Sequence, residues 1–183
     1  MDVKLPELYS LGQTNIVSRP SKDTAELSKE ELLAGVAVLE EKMRRYKPEA
    51  VCFVGKVVWE AVFKVRNGRG IRKGEFDWGW QEGVRFGKKA EDGESESEGE
   101  GEGEWGGCKV FVVPSTSGLV AAYSPEFKRN LWKRLGDWVQ MRRRERGENA
   151  PKVLELAGER GRGGGGGGGR GGGRGGFIVP IER

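Results

Sequence analysis

The most constraining feature of this sequence is a run of five apolar residues, Ala50–Val54, which lies between Pro48 and Gly55. A strand with one face in water alternates between apolar and polar residues, whereas this run is apolar throughout. We therefore expect a strand that is covered on both faces, as in a parallel sheet. A second apolar run, Val110–Val113, ends at Pro114 and predicts a strand of the same kind.

Three segments of helical periodicity accompany these strands. Ser28 and Glu31 have the spacing of a capping box at the start of a long helix. The apolar stripe of that helix consists of Leu32, Val36, Leu39, Met43 and Tyr46. Gly55-Lys56 begins a shorter second helix, and Ser124-Pro125 provides the N-cap and the first position of a third. The basic residues Arg142–Arg144 suit the negative end of the third helix dipole.

A short strand is also predicted at Asn15–Val17, before the first helix. Strands and helices then alternate along the chain, which is typical of an α/β fold. We expect a small open parallel sheet that is flanked by helices and joined by right-handed crossovers. Between Asn67 and Gly107 the sequence shows neither helical nor strand periodicity, and Trp78 and Trp80 are interpreted only as residues that cover the core.

Two low-complexity segments limit the part of the chain that can form a core. Residues 91–104 hold eight acidic residues and no basic one, which predicts a solvated loop. Residues 159–176 are almost entirely Gly and Arg. We therefore expect one partial domain over residues 5–146, with an acidic insertion at 88–106, followed by a disordered Arg/Gly-rich tail at 147–183. The apolar run Phe177–Ile181 is too short to form a core of its own.

The composition excludes several classes of site. The chain has no His, so it lacks the usual general base near neutral pH and the usual partner of Cys in a zinc site. Cys52 and Cys108 lack metal-binding spacing and are expected to be buried, reduced thiols. We expect no metal and no organic cofactor. No apolar run approaches the length of a membrane span, so we expect a soluble protein that does not bind a membrane. A net charge of +4 is weakly compatible with a polyanionic partner.

Polar segments lie at the ends of the three predicted strands: Thr14-Asn15, Gly55-Lys56 and Pro114–Leu119. Because ligands of open parallel sheets gather at the carboxyl ends of the strands, we expect these segments to converge on one crevice. An amide can pair with a base edge, and a Lys or a hydroxyl beside a helix start can hold a phosphate. Gly118 permits close approach to DNA, and Leu119 could act as an apolar wedge between bases.

Each of these segments also has a plainer interpretation. Asn15 suits an ordinary turn at a strand end. Gly55-Lys56 suits a strand-to-helix turn, because the earlier Gly of a phosphate loop is missing. Ser115–Ser117 would serve as a helix cap, and Leu119 as a core residue. The occurrence of all four signals in one order favours DNA binding.

The order and spacing of several segments resemble the mismatch-specific uracil/thymine-DNA glycosylases, within the uracil-DNA glycosylase superfamily. The similar segments are Leu11–Pro20, Glu26–Glu31 with Gly35, Tyr46–Ala50 leading into Val54-Gly55-Lys56, and Val113–Leu119. Together they extend over about Leu5 to Met141. The resemblance implies a G/U and G/T mismatch-specific glycosylase of base-excision repair that flips mispaired uracil or thymine out of the duplex and hydrolyses its N-glycosidic bond.

The resemblance also implies roles for single residues. Asn15 would read the flipped base, and Lys56, Ser115 and Ser117 would hold DNA phosphates. Gly118 and Leu119 would fill the gap that the flipped nucleotide leaves. The implied partner is double-stranded DNA with a G/U or G/T mismatch, and the protein would be a nuclear monomer.

One feature of the family is missing from this sequence. In the family, the Asn that positions the attacking water belongs to a Gly-x-Asn-Pro-Gly segment after the first strand, upstream of every segment matched here. The chain has Asn only at 15, 67, 130 and 149, and none precedes Pro. We therefore expect a chain that is truncated at its N-terminus, lacks the first strand, leaves the neighbouring strands unpaired, and does not catalyse hydrolysis.

Two other functions are compatible with the sequence. One is a non-catalytic nucleic-acid-binding protein that uses the basic helix end, Arg142–Arg146, and the Arg/Gly tail. The other is an unrelated nucleotide-binding α/β protein. If the genomic sequence upstream of Met1 encodes no in-frame Gly-x-Asn-Pro-Gly segment, binding to a G·U duplex without cleavage would favour the first alternative. Nucleotide affinity without mismatch affinity would favour the second.

Overall fold

A computed structural model describes residues 10–20, 26–88, 105–115 and 122–148, and the backbone of residues 176–180. Within these ranges the strands are β1 (Leu11–Asn15), β2 (Ala50–Val54), β3 (Gly79–Phe86), β4 (Cys108–Val113) and β5 (Gly176–Pro180). The helices are α1 (Lys29–Tyr46), α2 (Lys56–Asn67) and α3 (Pro125–Glu145). None of these helices combines the length and the apolar character that crossing a membrane requires.

The expected α/β fold with an open sheet flanked by helices is confirmed. The strand order is β1-β5-β2-β4-β3. β2 and β4 are parallel, as predicted. β1 has the same direction as β2, because both are antiparallel to β5. β3 is antiparallel to β4, so the sheet is mixed and not parallel throughout.

The apolar strands are covered on both faces. Val51 and Phe53 of β2 pack with residues of α1 and α2, whereas Cys52 packs with Leu131 and Leu135 of α3. The side chains of β4 divide between the two layers in the same alternating way. The continuous apolar runs therefore reflect a strand pair between two helical layers, which confirms the prediction from Ala50–Val54.

The predicted helix starts are confirmed at atomic detail. The Ser28 hydroxyl accepts a hydrogen bond from the Glu31 N–H over 3.1 Å, and the Glu31 carboxylate accepts one from the Ser28 N–H over 2.9 Å. The third helix begins after Ser124, whose hydroxyl accepts from the Phe127 N–H over 3.1 Å. Pro125 occupies the first turn, where a missing N–H costs no helical hydrogen bond.

One predicted strand is displaced, and one strand of the sheet was not predicted. The strand expected at Asn15–Val17 lies at Leu11–Asn15, because Ile16 leaves the sheet and is buried against α1. β3 was missed altogether. Its pairing with β4 shifts register between Trp80 and Arg85, and that irregularity removes the alternation by which a half-exposed strand is recognised.

The C-terminal strand corrects a further expectation. β5 lies between β1 and β2, with Asn15 opposite Gly176 and Phe53 opposite Phe177. The backbone of residues 176–180 thus has a place in the sheet, and β1 and β2 are not left unpaired. The physical reason is that two neighbouring strand edges present backbone groups that an extended apolar segment can satisfy. Residues 149–175 of the predicted tail lie outside the described ranges.

The acidic insertion also has a sharper boundary than predicted. Residues 89–104 lie outside the described ranges, but Trp105, which was assigned to the insertion, packs against the core. Its indole N–H donates to the Pro48 carbonyl oxygen over 3.2 Å. Trp105 therefore belongs to the folded unit.

Candidate nucleic-acid interface

The carboxyl ends of β2 and β4 lie side by side. Val54 is opposite Val113 in the parallel pair, and the Gly55 N–H donates to the Val113 carbonyl oxygen over 2.8 Å. Gly55 adopts a φ of 108°, a conformation that L-residues rarely reach, so a glycine suits this turn. The turn brings the start of α2, at Lys56, next to the segment that leaves β4 through Ser115.

Asn15 ends β1 at the same edge of the sheet. Thr14 of β1, Phe177 of β5 and Phe53 of β2 lie opposite one another across three neighbouring strands. Asn15 is one residue further along β1 and is therefore level with the end of β2. One strand, β5, separates Asn15 from the end of β2, which corresponds to about 10 Å at the usual strand spacing. The side chain of Asn15 is exposed. Thr14 beside it accepts a hydrogen bond from the Lys42 ammonium over 2.7 Å.

Lys56 combines exposure with a defined setting. Its ammonium lies 3.6 Å from the Glu60 carboxylate and 5.0 Å from the centre of the Phe76 ring. The first turn of α2 contains no acidic residue, so Lys56 adds its charge to the positive end of the helix dipole. Ser115 is partly buried at the end of β4. This edge therefore offers an ammonium group, a helix N-terminus and hydroxyl groups, which suit a phosphate.

Three of the predicted site residues are thus brought to one edge: Asn15, Lys56 and Ser115. Ser117, Gly118 and Leu119 lie outside the described ranges. The described residues nearest to them are Ser115 and Ala122. The roles assigned to all six residues stay predictions.

The sequence matches the Uracil DNA glycosylase superfamily over residues 8–136. The chain belongs to this superfamily. It is also 36% identical over 143 residues to a Schizosaccharomyces pombe (strain 972 / ATCC 24843) protein named G/U mismatch-specific uracil DNA glycosylase. The aligned part covers 78% of this chain and 37% of that relative. The resemblance drawn from the sequence is confirmed, and the chain spans little more than a third of the length of the relative.

In this superfamily member, the basic end of α3 does not lie at the sheet edge that carries Asn15 and Lys56. Arg142 and Arg146 both bind the carboxylate of Glu49, with 2.7 Å between Arg142 Nε and Glu49 Oε2. Glu49 precedes β2, at the opposite edge of the sheet, and its side chain is only 11% exposed. The hydrogen bond that the Arg142 guanidinium donates to the Glu49 carboxylate raises the pKa of Arg142. These arginines join α3 to the sheet, which weakens the case for a nucleic-acid surface there.

The two cysteines are buried and unbridged, as expected. Cys52 belongs to the α3 side of the sheet and Cys108 to the α1–α2 side. Burial raises the pKa of each thiol to about 12. Within the described ranges, no three Cys, Asp or Glu side chains come together as a metal site.

An aromatic cluster at the site edge was missed from the sequence. Phe76, Trp78, Tyr123 and Phe127 form a chain of ring contacts that starts beside Lys56. Tyr123 directly precedes the N-cap Ser124 and Phe127 lies in the first turn, and an apolar pair placed around an N-cap in this way was an available signal. The contact between Trp78 and Tyr123 had no signal in the local sequence.

Proposed function

We propose that this chain supplies the base-reading and DNA-gripping part of a glycosylase that removes uracil, or thymine, mispaired with guanine in duplex DNA. Its place would be the nucleus, in base-excision repair. The observation that carries the proposal is the meeting of Asn15, Lys56 and Ser115 at one sheet edge. Superfamily membership and the name of the 36% identical relative support it.

Asn15 has the hydrogen-bonding groups that a flipped uracil requires. An amide donates from its NH₂ and accepts at its oxygen, so it can pair with both the O4 and the N3–H of uracil. Thymine presents the same two groups, and Asn15 would therefore read both bases alike. Cytosine carries the opposite pattern at these positions, so an amide held in the orientation that suits uracil would pair with it less well. As the C1′–N1 bond breaks, the base takes the electron pair, and a donor at O4 stabilises that charge.

Lys56 and Ser115 would hold the phosphates beside a flipped nucleotide. Lys56 offers an exposed ammonium at the positive end of α2. Ser115 contributes a hydroxyl just before the segment that holds Ser117, Gly118 and Leu119. From their sequence positions, Ser117 would add a phosphate contact, and Gly118 and Leu119 would occupy the space that the base vacates. We propose that the protein acts as a monomer.

Hydrolysis needs a group that positions water, and the sequence of this chain holds no Asn-Pro pair and no His. We therefore expect this chain to bind mismatched DNA without releasing the base. If the chain binds mismatched DNA and does not release the base, DNA binding does not depend on catalysis. Release of uracil would show that another residue positions the water.

The test uses the full chain with labelled duplexes that differ only in a central G·U or G·C pair. Affinity is measured by fluorescence anisotropy at several salt concentrations, and free uracil is measured in parallel. Lys56→Gln should weaken binding to both duplexes and reduce the salt slope by about one unit. Lys133→Gln is the matched control, because Lys133 is also exposed and pairs with a carboxylate four residues on, Asp137, at 2.7 Å.

An unchanged Kd and salt slope for Lys56→Gln would remove the phosphate role of this residue. Equal effects of the Lys56 and Lys133 variants would mean that only net charge matters. Affinity of the wild-type chain that does not distinguish G·U from G·C would refute the proposed mismatch recognition.

A further inference from the structure

Asn15, the residue proposed to read the base, ends a strand that is paired on one side only. Within the described ranges, β1 pairs with β5 and has no strand on its other side. The Asn15 side chain is exposed. An edge strand opens more readily than a central one, whereas an amide that makes two hydrogen bonds to a base has to be held in one orientation. Contacts from outside the sheet should therefore decide how well Asn15 is placed.

Helix α1 contacts both chain neighbours of Asn15. Behind Asn15, the backbone of Ile16 lies so close to Gly35 that a Cβ on Gly35 would not fit. Before Asn15, the Thr14 hydroxyl accepts a hydrogen bond from the Lys42 ammonium over 2.7 Å. Gly35 and Lys42 are about two helical turns apart and lie on one face of α1. This face therefore holds the chain on both sides of the base-reading residue.

Helix α1 is a firm support for these contacts, because its inner face belongs to the core. The side chains of Val36, Leu39 and Met43 are almost completely buried. Lys42 directly precedes Met43, and its hydrogen bond to Thr14 is itself partly buried. Partial exclusion of water strengthens a hydrogen bond from a charged donor. The end of β1 is thus tied to a part of the molecule that is itself held in place.

The Thr14 hydroxyl connects Lys42 to the backbone of Asn15. An ammonium can only donate, so Thr14 accepts from Lys42, and the single hydroxyl proton points away from that bond. The Asn15 carbonyl oxygen lies 3.5 Å from Thr14 Oγ1, at the long limit of a hydrogen bond. Such a weak contact depends on the direction of the hydroxyl, and Lys42 sets that direction. The ammonium, the hydroxyl and the carbonyl group therefore form a chain that ends at Asn15.

The Lys42 ammonium is not engaged by a carboxylate. Among the described residues it forms no ion pair, and Thr14 is the acceptor of its hydrogen bond. A lysine that served only to balance charge would have an acidic partner. The contact with Thr14 instead fixes a direction and a distance beside the proposed base-reading residue.

We propose that Lys42 and Thr14 are positioning residues, which hold the end of β1 so that the Asn15 amide meets the flipped base in one orientation. Both act through Asn15 and not on the DNA itself. A small displacement of a hydrogen-bonding group is enough to weaken a contact that has to be made by two atoms at once. This inference rests on the proposed function and adds two residues behind its base-reading amide.

The test measures the preference of the full chain for a G·U over a G·C duplex, well below the melting temperature of every variant. Thr14→Val replaces the hydroxyl with a methyl group, and Lys42→Met removes the ammonium from a side chain of similar length. Each should reduce the preference about two- to fivefold, as expected for the loss of one hydrogen bond. The charge that Lys42→Met removes acts on both duplexes alike, so it cancels in the preference. Thr14→Ser keeps the hydroxyl and should keep the preference.

The double variant Thr14→Val/Lys42→Met tests whether the two residues act as a pair. Each single variant removes the same hydrogen bond, so the double variant should lose no more preference than either single variant. Additive losses would show that the two side chains act separately, which would overturn the proposed chain from Lys42 to Asn15.

Two controls separate positioning from general effects of charge and stability. Lys64→Met removes an exposed ammonium from the last turn of α2 and should leave the preference unchanged. Trp138→Ala removes an edge-to-face contact with Trp80, with 5.0 Å between the ring centres, in the α3 layer. It should lower the melting temperature and keep the preference. If either control loses as much preference as Thr14→Val, the positioning role is refuted.

Asn15→Ala, measured in the same series, separates this inference from the proposed function. Loss of preference in Asn15→Ala, with unchanged preference in Thr14→Val or in Lys42→Met, would overturn the positioning role alone. A wild-type chain that does not prefer the G·U duplex would overturn the proposed function and the positioning role together. Reduced preference in all three variants, with rescue by Thr14→Ser, is the expected result.

Discussion

Gly35 of α1 lies so close to Ile16 that a Cβ on Gly35 would sit 2.1 Å from the Ile16 carbonyl oxygen. The neighbouring atom belongs to the backbone and cannot rotate away. Gly35→Ala should therefore push the end of β1 from α1 and lower the free energy of unfolding by about 1–3 kcal/mol. Because Asn15 precedes Ile16, the same variant should weaken discrimination between G·U and G·C duplexes. Urea denaturation and fluorescence anisotropy would measure these effects.

Gly136→Ala provides a control of opposite sign. Gly136 is exposed within α3, and a Cβ there would meet nothing within 4 Å. Alanine should therefore raise the free energy of unfolding by about 0.5–1 kcal/mol. Equal stability of the Gly35 and Gly136 variants would contradict the close approach of α1 to β1.

β5 should be required to hold β1 in the sheet. β1 pairs with β5 over its whole length, from Leu11 opposite Pro180 to Asn15 opposite Gly176. Ile178→Pro removes a backbone donor from a strand that has neighbours on both sides. Hydrogen exchange of the full-length variant should show faster exchange in β1, with β4 protected as in the wild type. Unchanged protection of β1 would mean that its contacts with α1 hold it without β5.

Glu31 should contribute to the loss of stability in acid. Its carboxylate accepts hydrogen bonds from the Arg19 guanidinium and the Ser28 N–H, which lower its pKa from 4.5 to about 2. The folded protein therefore holds this group charged where the unfolded chain takes up a proton. The stabilisation is present above about pH 4.5 and is lost as the pH falls towards 2. It should also weaken with salt, because the pair is exposed.

Glu31→Gln should accordingly flatten the pH dependence of the free energy of unfolding in that window. Glu75 has its pKa lowered to about 2 in the same way, chiefly by Arg69, so part of the dependence should remain. Denaturation with urea between these pH values would test it. A wild-type slope in the Glu31→Gln protein would contradict the role of the Arg19–Glu31 pair.

Both cysteines should be unreactive in the folded protein. Cys52 and Cys108 are buried on opposite sides of the sheet, and burial raises the pKa of each to about 12. At pH 8 with iodoacetamide, mass spectrometry should find no modification until denaturant is added, and two modifications afterwards. Rapid labelling of either thiol under native conditions would show that one of the helical layers opens.

The helices and the central strands could be predicted because their signals are local. The apolar run Ala50–Val54 predicts a strand, and the capping box at Ser28 predicts the start of a helix, each from a few neighbouring residues. Superfamily resemblance then brought Asn15 and Lys56 into one proposed site, and the register of the sheet places them at one edge. The site residues that lie at the ends of strands could therefore be predicted from the sequence.

The features that could not be predicted depend on contacts between distant parts of the chain. β5 gains stability only between β1 and β2, far away in sequence, and its own residues gave no sign of a partner. The contact of Trp78 with Tyr123 exists only because β3 enters the sheet at the edge where α3 begins. Such pairings are decided by the assembled fold and not by local propensity.

The most direct test of the account is the preference of the full chain for a G·U over a G·C duplex, with and without Asn15→Ala. Asn130→Ala is the control, since Asn130 is an exposed Asn on α3. We expect the wild type and Asn130→Ala to prefer the G·U duplex, and Asn15→Ala to lose about tenfold of that preference while still binding G·C, since one bidentate base contact is removed. An undiminished preference in Asn15→Ala would contradict the claim that this sheet edge reads the base.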